Sequence, residues 1–164
     1  KLMGYDLLGL MALGYLSLFL GAAIITTINI VVLIATYLLT GISLYKLAMN
    51  NGHQDKAILA WIPVVNLYLV GLLAGDTKLL SIDLPAQWLG IILVILRIMG
   101  GFGDKSPFIL WLISTILIIF AFYNLYKRAE SPLTVIMAIL SLIPFLKAIF
   151  LYTIKDRNLL YFYE

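Results

Sequence analysis

Two short segments of the chain pair a proline with a polar side chain three residues later. They are Ile62-Pro63-Val64-Val65-Asn66 and Ile143-Pro144-Phe145-Leu146-Lys147, and the second follows the first by 81 positions. Proline removes one backbone donor and leaves the carbonyl four residues earlier without its helical partner. Here those carbonyls belong to Leu59 and Leu140. A freed carbonyl, an amide (Asn66) and an ammonium (Lys147) set among apolar neighbours could hold a small ligand or an ion. Pro63, Asn66, Pro144 and Lys147 are therefore the candidate ligand-binding residues, with Asn29 as a further amide inside an apolar run. Other physical accounts of the same residues exist. Proline often only kinks a membrane helix, an amide can simply bond a neighbouring helix, and a lysine near a helix end can snorkel to the interface.

Reactive chemistry has little to build on. The chain has no cysteine and one histidine, His53, in the polar stretch Asn50–Lys56. Asp6, Asp55, Asp76, Asp83 and Asp104 all flank apolar runs rather than facing each other inside one. The glycines before Asp104-Lys105-Ser106 lack the spacing of a phosphate loop, and no strand precedes them. Ser114 and Ser141 have no base nearby in sequence. These residues support neither an enzyme nor a bound metal or cofactor.

The elements that must position the candidates are apolar and long. Hydrophobic residues make up 63% of the 164 and charged residues 12%, about half the charged share of a soluble domain. Runs approaching 20 apolar residues match the ~30 Å hydrocarbon layer of a bilayer. The expectation is an all-α integral membrane bundle of about six transmembrane helices, forming a single domain over 1–164. The first apolar segment could be read as a signal peptide cleaved at Gly21-Ala22-Ala23, but no polar region precedes that site. The spans fall at about Tyr5–Leu20, Ile24–Leu47, Ala57–Gly75, Pro85–Met99, Phe108–Tyr126 and from Ser131-Pro132 to Ile154, with a reversal at Gly21–Ala23. Ser106-Pro107 and Ser131-Pro132 read as helix starts. Asn29, Thr26 and Thr27 should face other helices, since an unpaired amide in lipid is costly. Trp61, Trp88, Trp111 and Tyr126 fall near span ends, where amphipathic rings favour the interface.

Six spans place Lys1, Lys46, Lys56, Arg97, Lys105, Lys155 and Arg157 on one side, with Lys147 if it snorkels there, and Lys78, Lys127 and Arg128 on the other. The positive-inside rule then puts both termini in the cytoplasm of a multi-pass cell-membrane protein. The net charge of +3 fits that rule and does not argue for nucleic acid. The expected partners are the lipid bilayer and other membrane subunits or further copies of the chain.

The 81-residue shift extends beyond the prolines. It aligns Leu44-Tyr45-Lys46 with Leu125-Tyr126-Lys127, Ala48 with Ala129, and Ala57-Ile58-Leu59 with Ala138-Ile139-Leu140. Two repeats, 1–81 and 82–164, would each hold three helices. An odd count inverts the second copy, giving the 3+3 inverted plan of many secondary transporters, whose sites lie at broken helices near the midplane. The leading expectation is thus a transport-type protein binding or moving a small solute near Asn66 and Lys147. The alternative is a non-catalytic accessory, scaffold or substrate-capturing subunit of a larger membrane complex.

The segment from Leu44-Tyr45-Lys46 to Trp61-Ile62-Pro63-Val64-Val65-Asn66-Leu67-Tyr68-Leu69 resembles a signature of small, poorly characterised bacterial multi-spanning membrane proteins. In these, Ile-Pro-x-x-Asn follows an aromatic residue and often recurs. The resemblance covers about thirty residues and implies a bacterial inner-membrane origin. The second copy departs from it, with Lys147 in the asparagine place and Leu142 in the tryptophan place.

Overall fold

The computed structural model describes residues 3–79, 82–101 and 108–160. Its elements are α1 (Met3–Asn50), a 3-10 helix (Gln54–Trp61), α2 (Asn66–Ala74), β1 (Thr77–Leu79), β2 (Ile82–Leu84), α3 (Ala86–Gly101), α4 (Phe108–Arg128), α5 (Thr134–Leu140) and α6 (Pro144–Ile154). The protein is mostly helical, as expected. The added feature is a small antiparallel hairpin pairing Thr77 with Leu84 and Leu79 with Ile82. The helix start expected at Ser106-Pro107 lies outside the described residues.

The chain divides into two compact units, Lys1–Ala35 and Thr36–Glu164. In the first, the expected reversal at Gly21–Ala23 does not occur, because α1 runs through it. One glycine costs a helix only about 1 kcal/mol, and no proline lies nearby to stop it. Thr26, Thr27 and Asn29 do not need another helix. Their side chains donate to the carbonyls of Ala22, Ala23 and Ile25, four residues back, at 2.8–2.9 Å. Each of the three side chains makes one hydrogen bond within the helix, while Ile24, Ile28, Val31 and Leu33 stay exposed.

The second unit has a core of Leu44, Leu47, Leu69, Leu73, Leu89, Leu93, Phe122, Leu125, Tyr126 and Leu151. α2 and α3 cross closely at two glycines: a Cβ on Gly71 would stand 2.3 Å from the Gly90 Cα. Only small residues permit such an approach. Outside this core the surface is also apolar, with Trp88, Ile95, Ile109, Ile113, Ile116, Ile136, Ile139 and Phe145 exposed. Among the described residues two helices, Met11–Asn50 and Phe108–Arg128, are long and apolar enough to cross a membrane.

The third and sixth expected spans are each split at the proline, and the chain turns back. The 3-10 helix begins just after Asn51 and reaches Trp61, whose carbonyl accepts from the Tyr37 hydroxyl. Tyr37 lies thirteen residues before Asn50 on α1, about 20 Å along the helix. α2 then returns, and the Leu73 carbonyl near its end accepts from Arg128 Nη1 at 2.6 Å. In the second hairpin, α5 leads to the turn at Ser141 and α6 comes back, so that Arg157 donates to the Ala129 and Glu130 carbonyls. With 7 and 11 residues, α5 and α6 are about 10 and 16 Å long. These lengths are about a third and a half of a ~30 Å hydrocarbon layer.

The inverted repeat finds no support in this geometry. The Asn51 amide donates to the Arg157 carbonyl at 3.2 Å, and Arg157 in turn holds Ala129 and Glu130. The loop after α1 and the loop after α4, expected on opposite faces, lie at the same end. In each copy the chain breaks at the proline and returns toward the end it came from. The similar segments run parallel: a helix ending in Leu-Tyr-Lys, then a proline-tipped hairpin. Burial follows the same shift, with Leu44 and Leu125, Ala48 and Ala129, Ala57 and Ala138, Val70 and Leu151, and Leu73 and Ile154 all in the core. Two interfacial expectations also change, because Tyr126 is fully buried and Trp61 lies on Gly41.

Candidate functional site

Proline dictates where both hairpins turn. Pro63 sits between the 3-10 helix and α2, in a stretch where Ile62 is extended and Val64 has φ 68°. A β-branched residue rarely adopts positive φ, and strain of this kind costs about 1–3 kcal/mol. The turn is held by Val65 N–H to Pro63 O at 2.8 Å and Asn66 N–H to Ile62 O at 3.0 Å. Tyr37 adds its hydroxyl bond and an edge-on ring contact with Trp61, 6.3 Å between centroids. Pro144 is the first residue of α6 and follows an extended Ile143. Its missing N–H costs nothing there, since the first turn of a helix has no intrahelical acceptor for it.

The two tips face one half-open cavity of about 410 Å³. Pro63, Val64, Asn66 and Leu67 line it from the first hairpin, and Ser141, Leu142, Pro144 and Lys147 from the second. The remaining wall is Tyr37 from α1, Arg97 from α3, and Trp111, Thr115, Ile118 and Phe122 from α4. Four of the five candidates from the sequence, Pro63, Asn66, Pro144 and Lys147, are thus brought together. Asn29 is not. It lies in the Lys1–Ala35 unit with its amide on Ile25 O, and it does not line the cavity.

Ser141 does two things at the second tip. Its hydroxyl donates to Met137 O at 2.7 Å and lies 2.8 Å from the Tyr126 hydroxyl, which buries Tyr126 with a partner. Tyr126 is itself braced by the rings of Phe122 and Phe150. The tip is therefore anchored to α4 by a buried polar pair.

Arg97, near the end of α3 as expected, is a further residue of the cavity wall. The signal was present: Arg97 stands inside Gly90–Met99 with no other charge, and an ionisable group within an apolar span is by default a site candidate. Arg97 lies close enough for its charge to act on Lys147. Among the described residues neither cation forms an ion pair, and no acidic side chain lines the cavity. Also among the described residues, no cluster of His, Asp and Glu could hold a metal ion. The lining offers hydrogen bonding, positive charge and aromatic faces.

No protein-family model, curated protein or solved structure matches the chain.

Proposed function

We propose that this chain is a multi-pass membrane protein in which two re-entrant, proline-tipped hairpins frame a binding site for a small solute, in a transport-type role. The observation that carries the reading is the cavity joining Asn66 and Lys147. Backbone that leaves the helix inside a bilayer is tolerated where it lines a cavity or is buried in protein, and both tips do so. The apolar exterior of the Thr36–Glu164 unit supports lipid as its solvent, since soluble proteins rarely expose contiguous apolar patches beyond a few hundred Å². In this reading α1, α3 and α4 cross, while the hairpins enter and leave by the same face.

The absence of cysteine makes the test clean. Asn66→Cys and Lys147→Cys, each in reconstituted vesicles, are exposed to a charged, membrane-impermeant methanethiosulfonate. Both should be modified, whereas Ile139→Cys on the apolar outer face of the second hairpin should not. A transporter should allow modification from either face, and a fixed binding site from one. Failure of both cavity cysteines to react would mean a dry, packed interior and would sink the solute reading.

A further inference from the structure

We infer that the cavity takes an amphiphilic anion, a phosphate or carboxylate head carried on an apolar body; this rests on the solute-binding reading above. Arg97 and Lys147 reach the cavity from α3 and α6, two elements far apart in sequence, and among the described residues neither has a carboxylate partner. Two like charges in a half-lipid setting repel each other and are costly to desolvate. An anion between them relieves both terms. The first turns of α2 and α6 bring Asn66, Leu67, Pro144 and Lys147 to the same wall. An uncharged donor, the Asn66 amide, completes the polar side; the Thr115 hydroxyl gives its proton to Trp111 O.

Most of the rest of the wall is apolar or aromatic, and the Ser141 and Tyr37 hydroxyls already donate to Met137 O and Trp61 O. Ile118, Phe122, Leu67, Leu142 and the Trp111 ring would suit a hydrocarbon or ring. Ligand sites of a few hundred Å³ with a few convergent polar groups and apolar walls commonly orient a ligand in this way. A lipid headgroup and a water-soluble organic anion share this chemistry, and the cavity's half-open form admits either.

The test is isothermal titration of the protein in phosphatidylcholine nanodiscs, corrected for empty nanodiscs. Octyl phosphate should bind saturably. Octylammonium, with the same tail and opposite charge, should not, and inorganic phosphate should bind at least about tenfold more weakly than octyl phosphate for want of the tail. Arg97→Gln and Lys147→Gln should each weaken octyl phosphate by about tenfold or more, the scale of one charged hydrogen bond. Arg97→Lys, which keeps the charge, should recover most of the affinity and shows that the site still folds. Nanodiscs containing phosphatidylglycerol distinguish the source: competition with octyl phosphate identifies a lipid headgroup, and no competition a soluble anion. Equal binding of octyl phosphate and octylammonium, both lowered by Asn66→Leu, would overturn the anion inference while leaving the solute site intact. No saturable binding by any probe would overturn both.

Discussion

The Arg128 guanidinium, at the end of α4, donates to the Leu73 carbonyl at the end of α2 and to the Leu160 carbonyl in the tail at 2.7 Å. One side chain thereby ties the exit of the first hairpin, the last turn of a long helix and the segment following the second hairpin. The backbone agrees, since Leu160 N–H donates to Arg128 O at 3.0 Å and Leu159 N–H to the Asn51 side chain at 2.6 Å. All helix ends that the repeat places in register meet here.

That meeting predicts a topology. His53→Cys and Glu130→Cys should react with an impermeant maleimide from the same side of a sealed vesicle. Labelling from opposite sides would restore the inverted arrangement and remove the re-entrant hairpins.

Arg128 should also dominate stability at this end. It is 7% exposed, and hydrogen bonds from a charged donor contribute about 1.5–3 kcal/mol each. Arg128→Met should lower unfolding stability by on the order of 3 kcal/mol in detergent. Arg128→Lys should recover only part, because an ammonium cannot reproduce the fork that reaches two carbonyls.

The α2–α3 crossing gives a second stability test. Gly71→Ala would drive a methyl into the backbone of Gly90, and Gly90→Ala would place one 2.6 Å from the Tyr68 carbonyl. Backbone cannot rotate away, so each variant should cost about 1–3 kcal/mol. Gly100→Ala, which meets nothing within 4 Å, should be neutral or slightly stabilising. Equal melting temperatures for all three would argue against the close crossing.

Val64 tests whether strain at the first tip serves the cavity. Val64→Gly removes the positive-φ penalty of about 1–3 kcal/mol and adds back about 0.5–1 kcal/mol of chain entropy. The variant should therefore be as stable as the parent or more so, while its cavity holds a ligand less tightly because the tip is less fixed. A clear loss of stability would show that the valine side chain contributes packing that outweighs the strain.

His53, in the loop before the 3-10 helix, is held below the ordinary histidine range. Burial is the main cause, then the positive charge of Lys56, with Asp55 opposing and Arg128 adding to the shift. The folded protein keeps this imidazole neutral longer than the unfolded chain does. Stability from this source is complete above the ordinary value of about 6.5 and declines as pH falls below it, because the unfolded state takes up the proton first. Melting temperature should drop on acidification from about pH 6.5, and His53→Gln should flatten that part of the profile.

Much of the site was legible in the sequence because proline acts locally. Pro63 and Pro144 had to interrupt a helix, and Asn66 and Lys147 stood at fixed spacing beyond them. Whether the chain would continue past the break or turn back was not legible. That outcome rests on distant partners: Tyr37 on the Trp61 carbonyl, Arg128 on Leu73, and Arg157 on Ala129 and Glu130. Gly21–Ala23 was read as a reversal because the apolar run seemed too long for one helix, yet nothing local stops it. The hairpin at Thr77–Leu84 has only three residues per strand, too short to show alternation. Arg97 near the end of α3 is legible as a span-end charge, but its place in the wall beside Lys147 depends on how α3 and α6 pack, which no local pattern shows.

The most direct measurement joins the two tips. The double variant Asn66→Cys/Lys147→Cys is treated with a short bifunctional methanethiosulfonate and its mass determined, beside Asn66→Cys/Ile139→Cys. Two tips facing one cavity predict a single intramolecular linker in the first protein and none in the second. Two independently capped cysteines in the first would contradict a shared cavity, and with it the site proposed for this protein.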